Sequence, residues 1–410
     1  MSPTRDTEIV AVAANAVPNL RGTKIESLRA IRCTPSRDCV AVPLQVDERD
    51  ADHRWVLDTD ATGAVDSSQD VVDDNDVLFF RPTDGAAPAT PPRLPPHRNA
   101  ALFEVFDPLD GRIAHVYVVD APQLPAPAPP PLVRYDPQWD RLHSDRVTLG
   151  FQAGVPDRLA VAPHGDLLDR MKIRAAASLL WGLLRFERSE ADLTTEHVGW
   201  RAGPLRLTRY QSQRVRLGWG IRSPRFHSYA FFYPGFVELP LALRLAHRPA
   251  LLFGDIYVEM RLDFIDLRGW EVVAPGISAF TVGTKRPPTP IDVDARWFAL
   301  RGPHATLLVW LDLGSSLEST RVRLVYDDSP SPDPPEDVPG ERPGIGFRIE
   351  RWDDVPAGAH HLRARAWALP PDMSLEAFLG ALQNPLQVRV IAPWPQVSGD
   401  GGSETPRPHR

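Results

Sequence analysis

Hydrophobic and polar residues alternate strictly along much of this chain. In IYVEMRLDF, Ile256, Val258, Met260, Leu262 and Phe264 fall on one side, and Tyr257, Glu259, Arg261 and Asp263 on the other. A period of two places such a set on one face of a β-strand. The runs ATLLVWLDL, TRVRLVYD, IGFRIERW and HHLRARAWAL repeat the pattern, as do LRLTRY and RVRLGW. Nearer the N-terminus, EIVAVAANAV, SLRAIRC, CVAVPLQV, DVLFF, AALFEVFD and RIAHVYVVD predict further strands. Turn chemistry separates them: Pro108-Leu109-Asp110-Gly111 joins two runs and asks for a positive φ at its glycine, and Asp266–Gly269 closes another.

Two segments carry a helical pattern. Leu167, Met171, Ala175, Leu179 and Leu183 recur at i+4 across 166–186, although Gly182 weakens a helix there and KIRAAASLLWGLLRF also fits a buried strand pair. Ser374 with Glu376 marks the start of a second, shorter helix through Gln383. Many strands, few helices and no βαβ alternation predict a mainly β fold of two sandwich-like units, the second a large one, with one or two short helices.

Proline sharpens the division. The chain of 410 residues holds 44 prolines, about twice ordinary usage. Residues 121–137, APQLPAPAPPPLVRYDP, favour extended backbone and act as a spacer. The expected organisation is an N-terminal β domain over 1–120, a linker over 121–137, a large β domain over 138–393 and a disordered tail over 394–410. Proline-rich loops are expected at 86–97 and 327–344.

A net charge of −7 argues against a nucleic-acid partner. With three lysines in the chain, arginine carries nearly all the positive charge, which supplies forked donors for carboxylate or phosphate. No window approaches the roughly 18 uncharged apolar residues of a transmembrane helix, and no signal-peptide pattern is visible in this chain. The two cysteines, Cys33 and Cys39, flank one hairpin turn. Facing each other they form a short disulfide, which implies an oxidising compartment; as free thiols they imply nothing.

The sequence lacks the CxxCH, HExxH, GxSxG, P-loop and GxGxxG patterns. In HHLRARAW the adjacent His360 and His361 point to opposite faces of a strand and do not share a metal. Two clusters remain. Between Gln45 and Asp84 stand twelve acidic residues and three arginines. Within that segment Asp58, Asp60, Thr62 and Asp66 occupy positions 1, 3, 5 and 9 of a twelve-residue calcium-loop count, with Gly63 at position 6. Gln69 stands where a bidentate glutamate would close the shell, and Asp70 is the nearest replacement. The alternative is a solvated acidic loop. The second cluster is basic: seven arginines lie between Arg201 and Arg225, and no acid between Glu196 and Glu238. Arg206, Arg209, Arg214 and Arg216, with Tyr210, His227 and Tyr229, form a candidate surface for an anionic saccharide. The alternatives are a solvated sheet face, or arginines that pair with the acidic segment.

Six phrases in order carry a resemblance: VPLQVDERDAD (42–52), DDNDVLFF (73–80), LDRMKIR (168–174), AGPLRLTR (202–209), GIRSP (220–224) and NPLQV (384–388). They resemble a group of β-rich bacterial proteins, usually exported, for which no activity is established. The resemblance implies a periplasmic or extracellular location and supplies no catalytic residue. The phrase Gly203-Pro204-Leu205-Arg206-Leu207-Thr208-Arg209 is similar, more loosely, to mutarotase-like sandwiches that act on or bind polysaccharides. Two functions follow as expectations. One is a non-catalytic binding or assembly protein of the cell envelope, with a protein partner and optionally a structural calcium. The other is a lyase or hydrolase acting on an anionic polysaccharide.

Overall fold

The structure is a computed structural model that describes residues 3–34, 39–87, 94–127, 131–179, 183–218, 220–223, 225–251, 253–284, 291, 293–329 and 343–391, with the side chain of Asp60 left out. The centres of the proline-rich loops, 88–93 and 330–342, and the expected tail lie outside the described residues. The fold is mainly β, built of antiparallel sheets with one α-helix among the described residues. The chain forms two compact units: Met1–His53, Val65–Pro129 and Phe378–Arg410 make the first, and Arg54–Ala64 with Pro130–Ala377 the second. Each is discontinuous in sequence, which alternation alone does not show.

In the first unit a three-stranded sheet (Val10–Ala13, Val77–Phe80, Gln45–Asp47) shares a core with a five-stranded one. The latter runs in the order Gln387–Ile391, Ala100–Phe106, Ile113–Asp120, Leu28–Cys33, Cys39–Val42. Val77–Phe80 is buried on both faces, so it reads as a continuous apolar run and not as an alternating one. Gly111 takes φ 70° in the predicted turn. Cys33 and Cys39 oppose each other in register and form a disulfide.

The second unit is built on a ten-stranded sheet. From one edge it runs Leu193–Ala202, Leu207–Gly218, Phe226–Phe232, Phe236–Leu245, Gly358–Leu369, Thr306–Leu313 and Trp297–Arg301, and then the short strands Glu271–Val273 and Phe280–Thr281; the tenth, Ile221–Arg222, pairs with Leu207–Gly218 off this path. A five-stranded sheet shares its core, with Phe298 of the first and Phe347 of the second in ring contact at 5.4 Å. A third sheet is the meander from Val133–Asp136 to Gly165–Asp166. Its Ala153-Gly154 turn has positive φ at both residues, and a side chain at Gly154 would strike Thr195, Gln211 and Gln213.

Of the two readings of 166–186, a helix or a buried strand pair, the structure has the strand pair. Leu168–Leu179 pairs with Leu184–Ser189 on one side and with Phe253–Phe264 on the other. The reason is arithmetic: positions four apart share a face in a strand as well as in a helix. The intervening residues decide it. Lys172 and Arg174 face away from the core and pair with Asp263 at 2.9 Å and Glu190 at 2.6 Å. In the paired strand, Val258, Met260 and Leu262 pack on the core, while Glu259 takes an Arg348 donor at 2.8 Å on the other face. The second predicted helix forms as Leu375–Gln383, with Ser374 Oγ accepting from Ala377 N at 3.2 Å.

Candidate functional site

Alternation in the ten-stranded sheet sends one set of side chains to the core and the other to an outer face. Register aligns the outer set into rows. Tyr210 lies opposite Tyr229, Phe231 opposite Glu238, and Glu238 opposite Arg365. Pro240 lies opposite Arg363, Arg363 opposite Asp312, and Ala242 opposite His361. A cleft of about 890 Å³ opens over the middle of this face. Its polar lining includes Arg225, His227, Glu238, Asp312, His361 and Arg363, and Tyr229 and Phe226 supply rings.

Arg363 is the centre of the polar set. Its guanidinium reaches Asp312 at 2.6 Å and Glu238 at 3.6 Å, so a planar fork holds two carboxylates on neighbouring strands. At one end, Arg225 donates twice to Glu196 Oε2, at 2.9 and 2.6 Å. Arg214 approaches the other oxygen at 3.0 Å. Tyr210 Oη and His227 Nδ1 are 2.6 Å apart. Burial raises the Tyr210 phenol above its ordinary range, while burial together with the Arg225 and Arg54 charges lowers His227. Both shifts favour the neutral forms of the pair.

The predicted arginine surface is divided by strand parity. Arg206, 2% exposed, stacks its guanidinium 4.3 Å from the Trp55 ring and 4.5 Å from that of Phe231. Arg209 faces the core side, donates to both carboxylate oxygens of Asp140 at 2.7 and 2.5 Å, and lies 3.9 Å over the Phe151 ring. Arg216 donates to the Ala191 carbonyl. Tyr210 is buried behind the cleft, and His227 and Tyr229 line it. Sequence reading missed Glu238, Asp312 and Arg363. The available signal was a charge at an outward position in each of three alternating runs; nothing local shows that these runs are neighbours.

The acidic segment divides as well. Asp58 and Thr62 belong to the second unit, and Asp66 and Asp70 to the first. Asp58 N donates to the Trp200 carbonyl at 2.8 Å, and Asp58 Oδ2 accepts from Ala202 N at 3.2 Å, so this stretch borders the edge strand of the large sheet. Gly199 permits that approach: a Cβ there would lie 2.5 Å from Ala61 and from Thr59. Thr62 Oγ1 accepts from Ala64 N, and Asp66 Oδ1 accepts from Ser68 N at 2.9 Å. Asp70 takes φ 64°, and its N–H donates to Glu48. Among the described residues no group of three or more His, Cys, Asp and Glu gathers as a metal site.

No family model matches the chain, and no curated protein matches it. In fold, it is similar to an alpha-mannosidase. That crystal structure, of the Enterococcus faecalis V583 enzyme, superposes with a TM-score of 0.54 over 95% of this chain, at 9% identity. The chain spans 45% of the length of the mannosidase chain. At that identity the likeness is one of fold alone. A second structure, of HI1317, covers 60% of this chain and 98% of its own at a TM-score of 0.32 and 8% identity, and carries no argument.

Proposed function

We propose that the protein is a non-catalytic saccharide-binding protein of the bacterial cell envelope, with its site in the cleft on the outer face of the large sheet. One observation carries the reading: Arg363 fixes Glu238 and Asp312 beside Tyr229 and His227. Carboxylates held in a plane accept from sugar hydroxyls, and an adjacent ring stacks on a pyranose face. Charge balance favours a neutral sugar over the anionic one expected from the arginine count. Arg225 is taken by Glu196 and Arg363 by Asp312, which leaves Arg244 as the lining cation without an ion pair among the described residues. The fold shared with an alpha-mannosidase supports a saccharide ligand. The Cys33–Cys39 disulfide supports an oxidising compartment, and among the described residues no helix is long and apolar enough to cross a membrane.

Calorimetric titration with a neutral mannan or glucan fragment and with an oligouronate tests this. The neutral ligand is expected to bind, and Arg363→Ala to weaken it roughly 10- to 100-fold, the effect of losing hydrogen bonds to charged groups. Binding of the uronate alone would return the ligand to the anionic class, and binding of neither would remove the site. Release of reducing ends by the wild type, lost in Asp312→Asn, would make the protein an enzyme.

A structural calcium is tested separately. The melting midpoint is expected to be the same in EGTA and in millimolar calcium, because Asp58 and Asp66 accept backbone hydrogen bonds in different units. A bound ion would raise the midpoint by mass action, and a rise of several degrees would restore the loop as a calcium site.

A further inference from the structure

Folded interiors contain few voids larger than a water molecule. The second unit departs from that rule. Between its ten-stranded sheet and the five-stranded sheet lies a cavity of about 340 Å³. That is more than twice the roughly 150 Å³ engineered cavity that stays dry and takes up benzene, and it falls within the span of natural ligand pockets. Its walls are aliphatic: Met171, Val258 and Met260 on one side, Leu239, Leu241 and Ala364 on the other. These six residues are each only partly buried, although they stand within the unit. Methionine in the wall lets the lining adapt to what enters.

One part of the lining is polar. Arg209, Gln211, Gln213 and Ser228 contribute to it. The Arg209 charge is taken by Asp140, and Gln211 Nε2 donates to the Gly154 carbonyl at 2.8 Å. Ser228 Oγ is shielded from solvent and has no hydrogen-bond partner among the described residues. A buried hydroxyl without a partner costs free energy, and a ligand oxygen placed against it would recover that cost.

We infer that this cavity binds an unbranched aliphatic chain of medium length with an uncharged hydroxyl head, the head against Ser228 Oγ and the chain between the sheets. Two sheets about 10 Å apart leave a slot whose shape suits a chain. Of the three arginines that border the cavity, Arg209 is neutralised by Asp140, and Arg261 and Arg365 alternate with the core-facing Met260, Leu262, Ala364 and Ala366 on their strands, which favours an uncharged head over a carboxylate.

Calorimetry with 1-decanol, 1-octanol and decanoate, with no saccharide present, tests the inference independently of the outer cleft. The wild type is expected to bind one 1-decanol. 1-Octanol should bind roughly tenfold more weakly, as expected for two fewer buried methylenes, and decanoate at least tenfold more weakly than the alcohol. Ala364→Leu, which fills the slot, should abolish binding while the melting midpoint holds or rises. Ser228→Ala keeps the slot open, and should weaken 1-decanol several-fold while sparing the preference for the longer chain. No uptake of 1-decanol by the wild type, or uptake unchanged in both variants, overturns the site. Equal affinity for decanoate overturns the uncharged head.

Discussion

Arg5→Ala is expected to destabilise the first unit by about 3–5 kcal/mol, the usual cost of stranding a buried charge. Arg5 and Asp107 are both 0% exposed. The guanidinium donates to both Asp107 oxygens at 3.1 and 2.8 Å, to Glu8 at 2.5 Å, and to the carbonyls of Ala381 and Asn384 at 2.9 and 2.7 Å. Ala381 lies in the last turn of the helix Leu375–Gln383 and Asn384 just past its end, where carbonyls lack intrahelical donors. One side chain thus joins the start of the chain, the turn after Ala100–Phe106 and the approach to the final strand. The Arg5 hydrogen bonds hold the Asp107 carboxyl below its ordinary range; without them burial acts to raise it, so the variant must either keep a buried carboxylate that has lost its main partner or bind a proton, and both cost stability. Arg5→Lys should recover only part of the loss, because a point charge cannot span the same fork. Urea unfolding measures it; a change under 1 kcal/mol would show that water reaches Asp107 in the variant.

The second large effect is a pH dependence centred on Asp76. This carboxyl is 0% exposed and accepts from Arg49 N at 3.3 Å and from Asp73 N at 3.0 Å. Burial outweighs those hydrogen bonds, and the Asp73 and Asp66 charges add to it, pushing its pKa up to about 7. A folded pKa above the unfolded value of 3.8 means that the native state binds the proton more tightly. The resulting stability is fully present below about pH 4 and is lost as pH rises through about 7. A shift of this size corresponds to roughly 4 kcal/mol over the whole range. Asp76→Asn should flatten that slope. Its amide nitrogen cannot accept, so the variant should be about 1 kcal/mol less stable at pH 5 and more stable than wild type at pH 9. Parallel stability curves for the two proteins between pH 5 and pH 9 would show that Asp76 is ionised throughout.

Local physics was legible in the sequence where it acts alone. Alternation identified the strand Phe253–Phe264 and both of its faces, glycine placed the turn at Gly111, and Ser374 capped the helix. The spacing of Cys33 and Cys39 marked a hairpin that proved cross-linked. What the sequence left open was which distant strands are neighbours. The i+4 repeat over 166–186 fits two structures, and only pairing with Phe253–Phe264 selects one. Arg206 and Arg209 look equivalent in the sequence, but odd separation sends them to opposite sides of the sheet. The cleft draws on strands at 226–245, 306–313 and 358–369, whose adjacency is decided by the packing of the whole unit.

The strand Gln387–Ile391 pairs with Ala100–Phe106, and nearly all of the second unit's sequence is synthesised between the two. The first unit therefore cannot complete its five-stranded sheet as it emerges. Until the final strand arrives, Ala100–Phe106 presents an open edge, the kind of surface on which chains aggregate. Closing a loop of that length also makes the pairing slow. Shortening the chain from its C-terminal side past Gln387 would thus injure the N-terminal unit first, and leave the strands of the large sheet intact.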